Sequence, residues 1–161
     1  MSRTNAWWAE HLQSARGRSF HVAPDDPAEW LTIHETAELL GFELFKVSGD
    51  QVDSKISLLD TLNTVMSFPA YFGRNWDALE ECINDLSWWS SHGYIFLLTK
   101  ADNLLKSSPD DFGTFVRIAA DASESWASKG TAFHVVFTGT TMVGEAAAHA
   151  IEGNVCDHRL L

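Results

Sequence analysis

Apolar residues along the chain change spacing at regular intervals, and the changes mark the elements. Gly93-Tyr94-Ile95-Phe96-Leu97-Leu98-Thr99 and Ala132-Phe133-His134-Val135-Val136-Phe137-Thr138 are almost continuously apolar, as strands buried on both faces of a parallel sheet are. Shorter strands are expected from Ser19 to Ala23 and from Phe42 to Val47, the second ended by Ser48-Gly49. Between these two, Asp26 serves as an N-cap with Pro27 at the first helical position. Trp30, Leu31, Ile33, Ala37 and Leu40 continue that helix and Gly41 stops it. A second helix suits Ser54 to Phe68, with Leu58, Leu59, Leu62, Val65 and Met66 on one face and Pro69 just beyond. Ser108-Pro109-Asp110-Asp111 starts another, whose stripe of Phe112, Phe115, Ala119, Ala122 and Trp126 runs to Gly130.

Strands alternating with helices predict one α/β domain over residues 18–139, a small parallel sheet of three to four strands flanked by helices. Residues 1–17, with Trp7, Trp8, His11 and Leu12, read as an N-terminal extension holding a short amphipathic helix. Residues 140–161 read as a C-terminal extension, with a helix around Glu145 to Ile151 and a flexible tail containing Cys156-Asp157-His158.

The segment with the most distinctive pattern lies between the second helix and the first long strand. Asn75 is a suitable N-cap for a helix beginning at Trp76. At about 100° per residue, Trp76, Leu79, Cys82, Ile83 and Leu86 share one face, and Asp77, Glu80, Glu81, Asn84 and Asp85 share the other. No lysine or arginine occurs from Asn75 to Thr99. Asp77–Glu81 and Glu81–Asp85 are therefore like-charge pairs one turn apart, each costing the helix roughly 0.2–0.5 kcal/mol. The helix dipole offsets Asp77 in the first turn but not the other two. A face that repels itself becomes favourable when a cationic partner docks on it. Tyr71 and Phe72 precede this face in a loop, and Trp88 and Trp89 follow it. Aromatic anchors beside charged groups are enriched at protein interfaces. Phe72 and Trp76 are expected in the core, and Tyr71, with its polar tip, at the surface.

Charge carries the same message over the whole chain. Its 161 residues include 22 acidic and 11 basic side chains, a formal net charge of -11. That field repels nucleic acid and anionic lipid and speeds encounter with basic partners. The start of the chain lacks the pattern of a secretory signal, and no apolar run is long enough to span a membrane. Two distant cysteines, Cys82 and Cys156, fit reduced thiols in a cytoplasm. No Gly-x-Ser-x-Gly, phosphate-binding glycine loop or dinucleotide fingerprint occurs. The histidines (11, 21, 34, 92, 134, 149, 158) show no metal-ligand spacing. His134, inside an apolar strand, reads as a satisfied core or surface histidine. Glu80 and Glu81 diverge on a helix and make a poor acid/base pair. The expectation is a cytoplasmic protein that is not an enzyme, needs no cofactor or metal, contacts neither nucleic acid nor membrane, and is monomeric.

Pro69-x-Tyr71-Phe72-Gly73-x-Asn75-Trp76-Asp77-Ala78-Leu79-x-x-Cys82 closely resembles the central motif of the barstar family, inhibitors of barnase-type ribonucleases. Phe42 to Gly49, Ser54 to Phe68, Tyr94 to Thr99, Pro109 to Lys129 and Thr131 to Thr138 resemble the family's other elements, and residues 18–41 the extra strand and helix of its longer members. The resemblance implies inhibition of a basic ribonuclease, with Asp77 and Glu81 inserted into its active site in place of RNA phosphates and Tyr71 stacked in the same cleft. Asn75, Glu80 and Asp85 adjoin them. Three departures stand out. Glu81 is one methylene longer than the family prototype's aspartate, Glu80 replaces an interface tryptophan, and a glutamate of the last helix falls at Ser125, where neighbouring Glu124 is the candidate substitute. These bear on the identity of the target rather than the mode of binding. An immunity or regulatory protein for a different basic partner is the alternative, followed by a hydrolase using the acidic cluster.

Overall fold

The two continuously apolar runs are the central strands of a parallel sheet. The computed structural model describes residues 3–139 and 155–158. In chain order its elements are α1 (Asn5–Leu12), β1 (Phe20–Ala23), α2 (Pro27–Leu40), β2 (Glu43–Ser48), a 3-10 turn (Gly49–Gln51), α3 (Lys55–Met66), α4 (Trp76–Asp85), β3 (Gly93–Thr99), α5 (Pro109–Ser128), β4 (Ala132–Thr138) and β5 (Val155–Asp157). The strands pair in the order β2-β3-β4-β1-β5, all parallel. Each strand-to-strand passage therefore needs a crossover, and α2, then α3 with α4, then α5 supply those that link β1 to β4.

Alternation along the strands divides the core into two layers. Phe45, Val47, Tyr94, Phe96, Leu98, Phe133, Val135, Phe137, Phe20 and Val22 point to one face, where α3, α4 and α5 cover them. Ile95, Leu97, Val136 and Ala23 point to the other, against Ile33 and Ala37 of α2 and Trp8 and Leu12 of α1. Side chains that alternate across a strand and are buried on both sides produce the unbroken apolar runs seen in the sequence.

Local rules set the helix ends. Asp26 caps α2 by accepting from the Ala28 N–H at 3.0 Å, and Gly41 (φ 70°) ends it in the left-handed conformation. Ser54 and Ser57 form a reciprocal capping box at the start of α3. The expected helix around Glu145 to Ile151 lies outside the described residues.

The termini differ from the expectation of a flexible tail. Val155–Asp157 adds an edge strand beside β1, in register Phe20↔Val155. His158 then turns inward and is buried. Its Nε2 lies 3.1 Å from Nδ1 of His21, whose Nε2 lies 2.9 Å from Nδ1 of His134. The chain ends where His134 Nε2 meets the carbonyl of Ser14 at 2.9 Å. A carbonyl can only accept, so His134 carries its proton on Nε2 and accepts from His21, which accepts in turn from His158. His21 and His134, each donating at one nitrogen and accepting at the other, are neutral, and the donors all point one way. Beside them Glu29, almost fully buried, pairs with Arg3 at 3.1 Å and accepts from the Trp8 indole at 3.2 Å. Arg3 also donates to the carbonyl of His158. The nitrogens pair off along a line instead of converging, and no group that could hold a metal ion is found among the described residues.

Burial pushes the His134 imidazole down to about 4, against a weaker opposing effect of the Ser14 carbonyl. Burial, then the neighbouring His134, His158 and His11, lowers His21 well below its ordinary value. The unfolded chain therefore binds protons at these rings below about pH 6.5 that the folded chain refuses, so stability falls with pH from there to about 4. For His134 alone the loss is about 3 kcal/mol over that window. Urea unfolding at stepped pH should show the decline, and His134→Gln should flatten it. A stability curve for His134→Gln as steep as that of the parent would remove His134 as its source.

Candidate functional site

Helix α4 begins at its expected cap. Asn75 is extended (φ -141°, ψ 172°) and its Oδ1 accepts from the Ala78 N–H at 2.8 Å. This engages the side chain in starting the helix. On the inner side, Leu79, Cys82, Ile83 and Leu86 are buried and Trp76 half-buried, as their spacing requires. The C-terminal end is held by Leu86, left-handed at φ 47°, and by the Trp126 indole of α5, which donates to the Ile83 carbonyl at 3.0 Å. Trp88 and Trp89 both donate their indole N–H to the Met66 carbonyl at the end of α3, at 2.9 and 2.8 Å. These rings satisfy helix carbonyls that would otherwise lack donors, and they pack on the core instead of standing out as anchors.

Facing outward, Asp77, Glu81 and Asp85 are exposed, while Glu80 and Asn84 are half-buried along the flank. Asn84 Nδ2 donates to the Glu80 carbonyl at 2.7 Å. At 1.5 Å rise per residue, Asp77, Glu81 and Asp85 form a ridge about 12 Å long. Among the described residues, none of Asp77, Glu80, Glu81 or Asp85 forms an ion pair. Phe72 is buried against Phe68, with ring centroids 4.7 Å apart, and this leaves Tyr71 at the tip of the loop, 67% exposed. Desolvation first, and then the electrostatic influence of Cys82, Asp85 and Glu81, raises the Tyr71 phenol above its ordinary value. The Cys82 thiol is pushed up by burial and by Glu81 and Asp85. Cys82, on the buried side of α4, is held as an unreactive thiol. Glu124 is exposed on α5, the helix that Trp126 ties to α4.

Two residues outside the expected set shape the surroundings. Arg74 donates from Nε and Nη2 to the two carboxylate oxygens of Asp60 on α3, at 2.7 and 2.9 Å. Lys55 Nζ sits 5.3 Å from the centre of the Trp76 ring. The signal available in the sequence was the isolation of Arg74, but nothing there placed Asp60 opposite it. Chemically the ridge offers acceptors only, which suits ammonium and guanidinium groups.

The family model described as Barstar (barnase inhibitor) matches residues 42–138. No curated protein matches the chain in sequence. Among solved structures, Cdc6p from Pyrobaculum aerophilum aligns with TM-score 0.56 and 15% identity, covering 87% of this chain and 38% of that one. A chain from the structure of Drosophila ORC bound to AT-rich DNA and Cdc6 gives TM-score 0.55 and 11% identity, covering 96% and 51%. This chain thus spans well under two thirds of either neighbour, and the likeness is one of fold. In such parallel sheets ligands bind at the carboxyl ends of the strands. Here Asp25, just after β1, accepts there from Thr138 Oγ1 at 2.8 Å and from the Lys100 N–H at 3.3 Å.

Asn75→Ala should cost about 1 kcal/mol by removing the α4 cap, and Asn75→Asp should retain most of it. Urea unfolding of both variants measures this; equal stability of Asn75→Ala and parent would deny the cap any energetic role.

Proposed function

The chain belongs to the barstar family, and from that premise we propose that it inhibits a basic ribonuclease by docking α4 and the Tyr71 loop into the enzyme's active site. The observation that carries this reading is the ridge of exposed carboxylates on α4, without a cation of its own and bordered by an exposed tyrosine. A ribonuclease cleft is lined by cations that receive RNA phosphates. Asp77 and Glu81 offer those cations carboxylate oxygens, and Tyr71 offers a ring face with a polar tip. Asp85 extends the ridge, Glu80 flanks it, and Glu124 on α5 is a candidate at the rim. The ridge's self-repulsion is relieved in the complex, and the net charge of -11 draws a basic partner in. Glu80 and the longer Glu81 favour a target whose cations are spaced differently from those of barnase.

Inhibition of barnase-type ribonucleases, titrated against the protein, tests the reading directly. Asp77→Ala and Glu81→Ala should each weaken inhibition about tenfold or more. The same substitutions should leave the free protein as stable as the parent, or up to about 0.5 kcal/mol more stable. Association should slow steeply with salt, because steering is screened beyond about 8 Å at physiological ionic strength. Affinity for a bound ribonuclease that is indifferent to both substitutions would sink the proposal.

A further inference from the structure

Arg74 stands at an awkward place for a surface that receives a basic protein. It is the only lysine or arginine between Lys55 and Lys100, and it lies between Tyr71 and Asp77. A long cationic side chain there has the reach to fold over the first turn of α4. Its backbone is also left-handed, at φ 54°, a conformation that glycine or asparagine adopts at lower cost than arginine. The side chain nevertheless points elsewhere. Nε and Nη2 each engage a separate oxygen of Asp60, the paired geometry that fixes a guanidinium plane. Asp60 is itself well anchored, since its neighbours on α3, Leu58, Leu59 and Leu62, are fully buried.

We infer that Asp60 is a positioning residue for the acidic face: it holds the Arg74 guanidinium against α3 and so keeps Asp77 and the rest of the ridge free for a cationic partner. The inference rests on the reading of α4 as the docking face. Asp60 gives up its own charge to Arg74, and the pair together is neutral. Lys55, the other cation near the start of α4, is likewise placed over the Trp76 ring. Without Asp60, the guanidinium swings toward Asp77, and an incoming partner must displace it.

The test uses an octalysine peptide as a polycation probe, bound to the full chain at low ionic strength and followed by fluorescence anisotropy. Asp60→Ala should weaken binding about fivefold. Glu38→Ala, which makes the same change in net charge on α2 across the sheet, should weaken it by less than about twofold. The double variant Asp60→Ala/Arg74→Ala has the parent's net charge and should recover the parent's affinity, as should Asp60→Glu. A half-exposed ion pair contributes little to stability, so thermal unfolding should be nearly unchanged in all of these. Equal effects of Asp60→Ala and Glu38→Ala would overturn the inference, as would a double variant no better than Asp60→Ala. Asp77→Ala, measured alongside, separates the two levels. If Asp77→Ala weakens binding and Asp60→Ala does not, the role of Asp60 fails alone. If Asp77→Ala has no effect, the docking face itself is misassigned and the role of Asp60 falls with it.

Discussion

A parallel sheet exposes no backbone edge between its strands but leaves two apolar faces, and both must be covered before the sheet is stable. That requirement places every α-helix among the described residues. Strands β1 to β4 present Phe45, Phe96, Val135, Phe137 and their neighbours to one side and Ile95, Leu97 and Val136 to the other. Helices α3, α4 and α5 close the first side, and α1 and α2 the second. Helix α4 is thus held by its inner face alone. Leu79, Ile83 and Leu86 anchor it in the core, and the indole of Trp126 secures its last turn. The outer face is released from any structural duty, and it can carry charges chosen for something other than folding.

Those charges are arranged at a small cost to the free protein. Like-signed neighbours at i, i+4 destabilise a helix by a few tenths of a kcal/mol each, which the buried side of α4 absorbs easily. Rigid placement matters more than the cost. The Asn75 cap, the buried Phe72 and the left-handed turn at Leu86 fix where the ridge begins, where the tyrosine stands beside it and where it stops. A surface ordered before contact loses little conformational entropy on docking. Local cations are kept off it by engagement with Asp60 and with the Trp76 ring.

How much of this was legible in the chain follows from the range over which each signal acts. The long apolar runs of β3 and β4, the caps at Asp26 and Asn75, and the two faces of α4 are local patterns, and the structure contains each of them. The motif from Pro69 to Cys82 identified the family because it too is contiguous. Pairings between distant positions were not readable. His21, His134 and His158 are more than a hundred residues apart at their extremes, and each looked like an isolated histidine until the sheet order brought them together. The same holds for Arg3 with Glu29 and for Arg74 with Asp60. Trp88 and Trp89 read as interface rings from their position beside the acids. Their role as donors to Met66 depends on where α3 ends, which no local pattern fixes.

The strand order also has a consequence for how the chain comes to be folded. Strands β2, β3 and β4 are neighbours in the sheet and follow one another in sequence, so residues 42–138 can assemble their pairings as they are synthesised. Strand β1 cannot. It is made first, yet its partners are β4 and β5, which are made last. Contacts of such long sequence separation form slowly, and apolar segments left waiting are exposed to misassociation. Trp8 and Leu12 of α1, both buried in the folded chain, belong to the same early segment. The ribosome thus releases β1 long before the strands that flank it in the sheet exist.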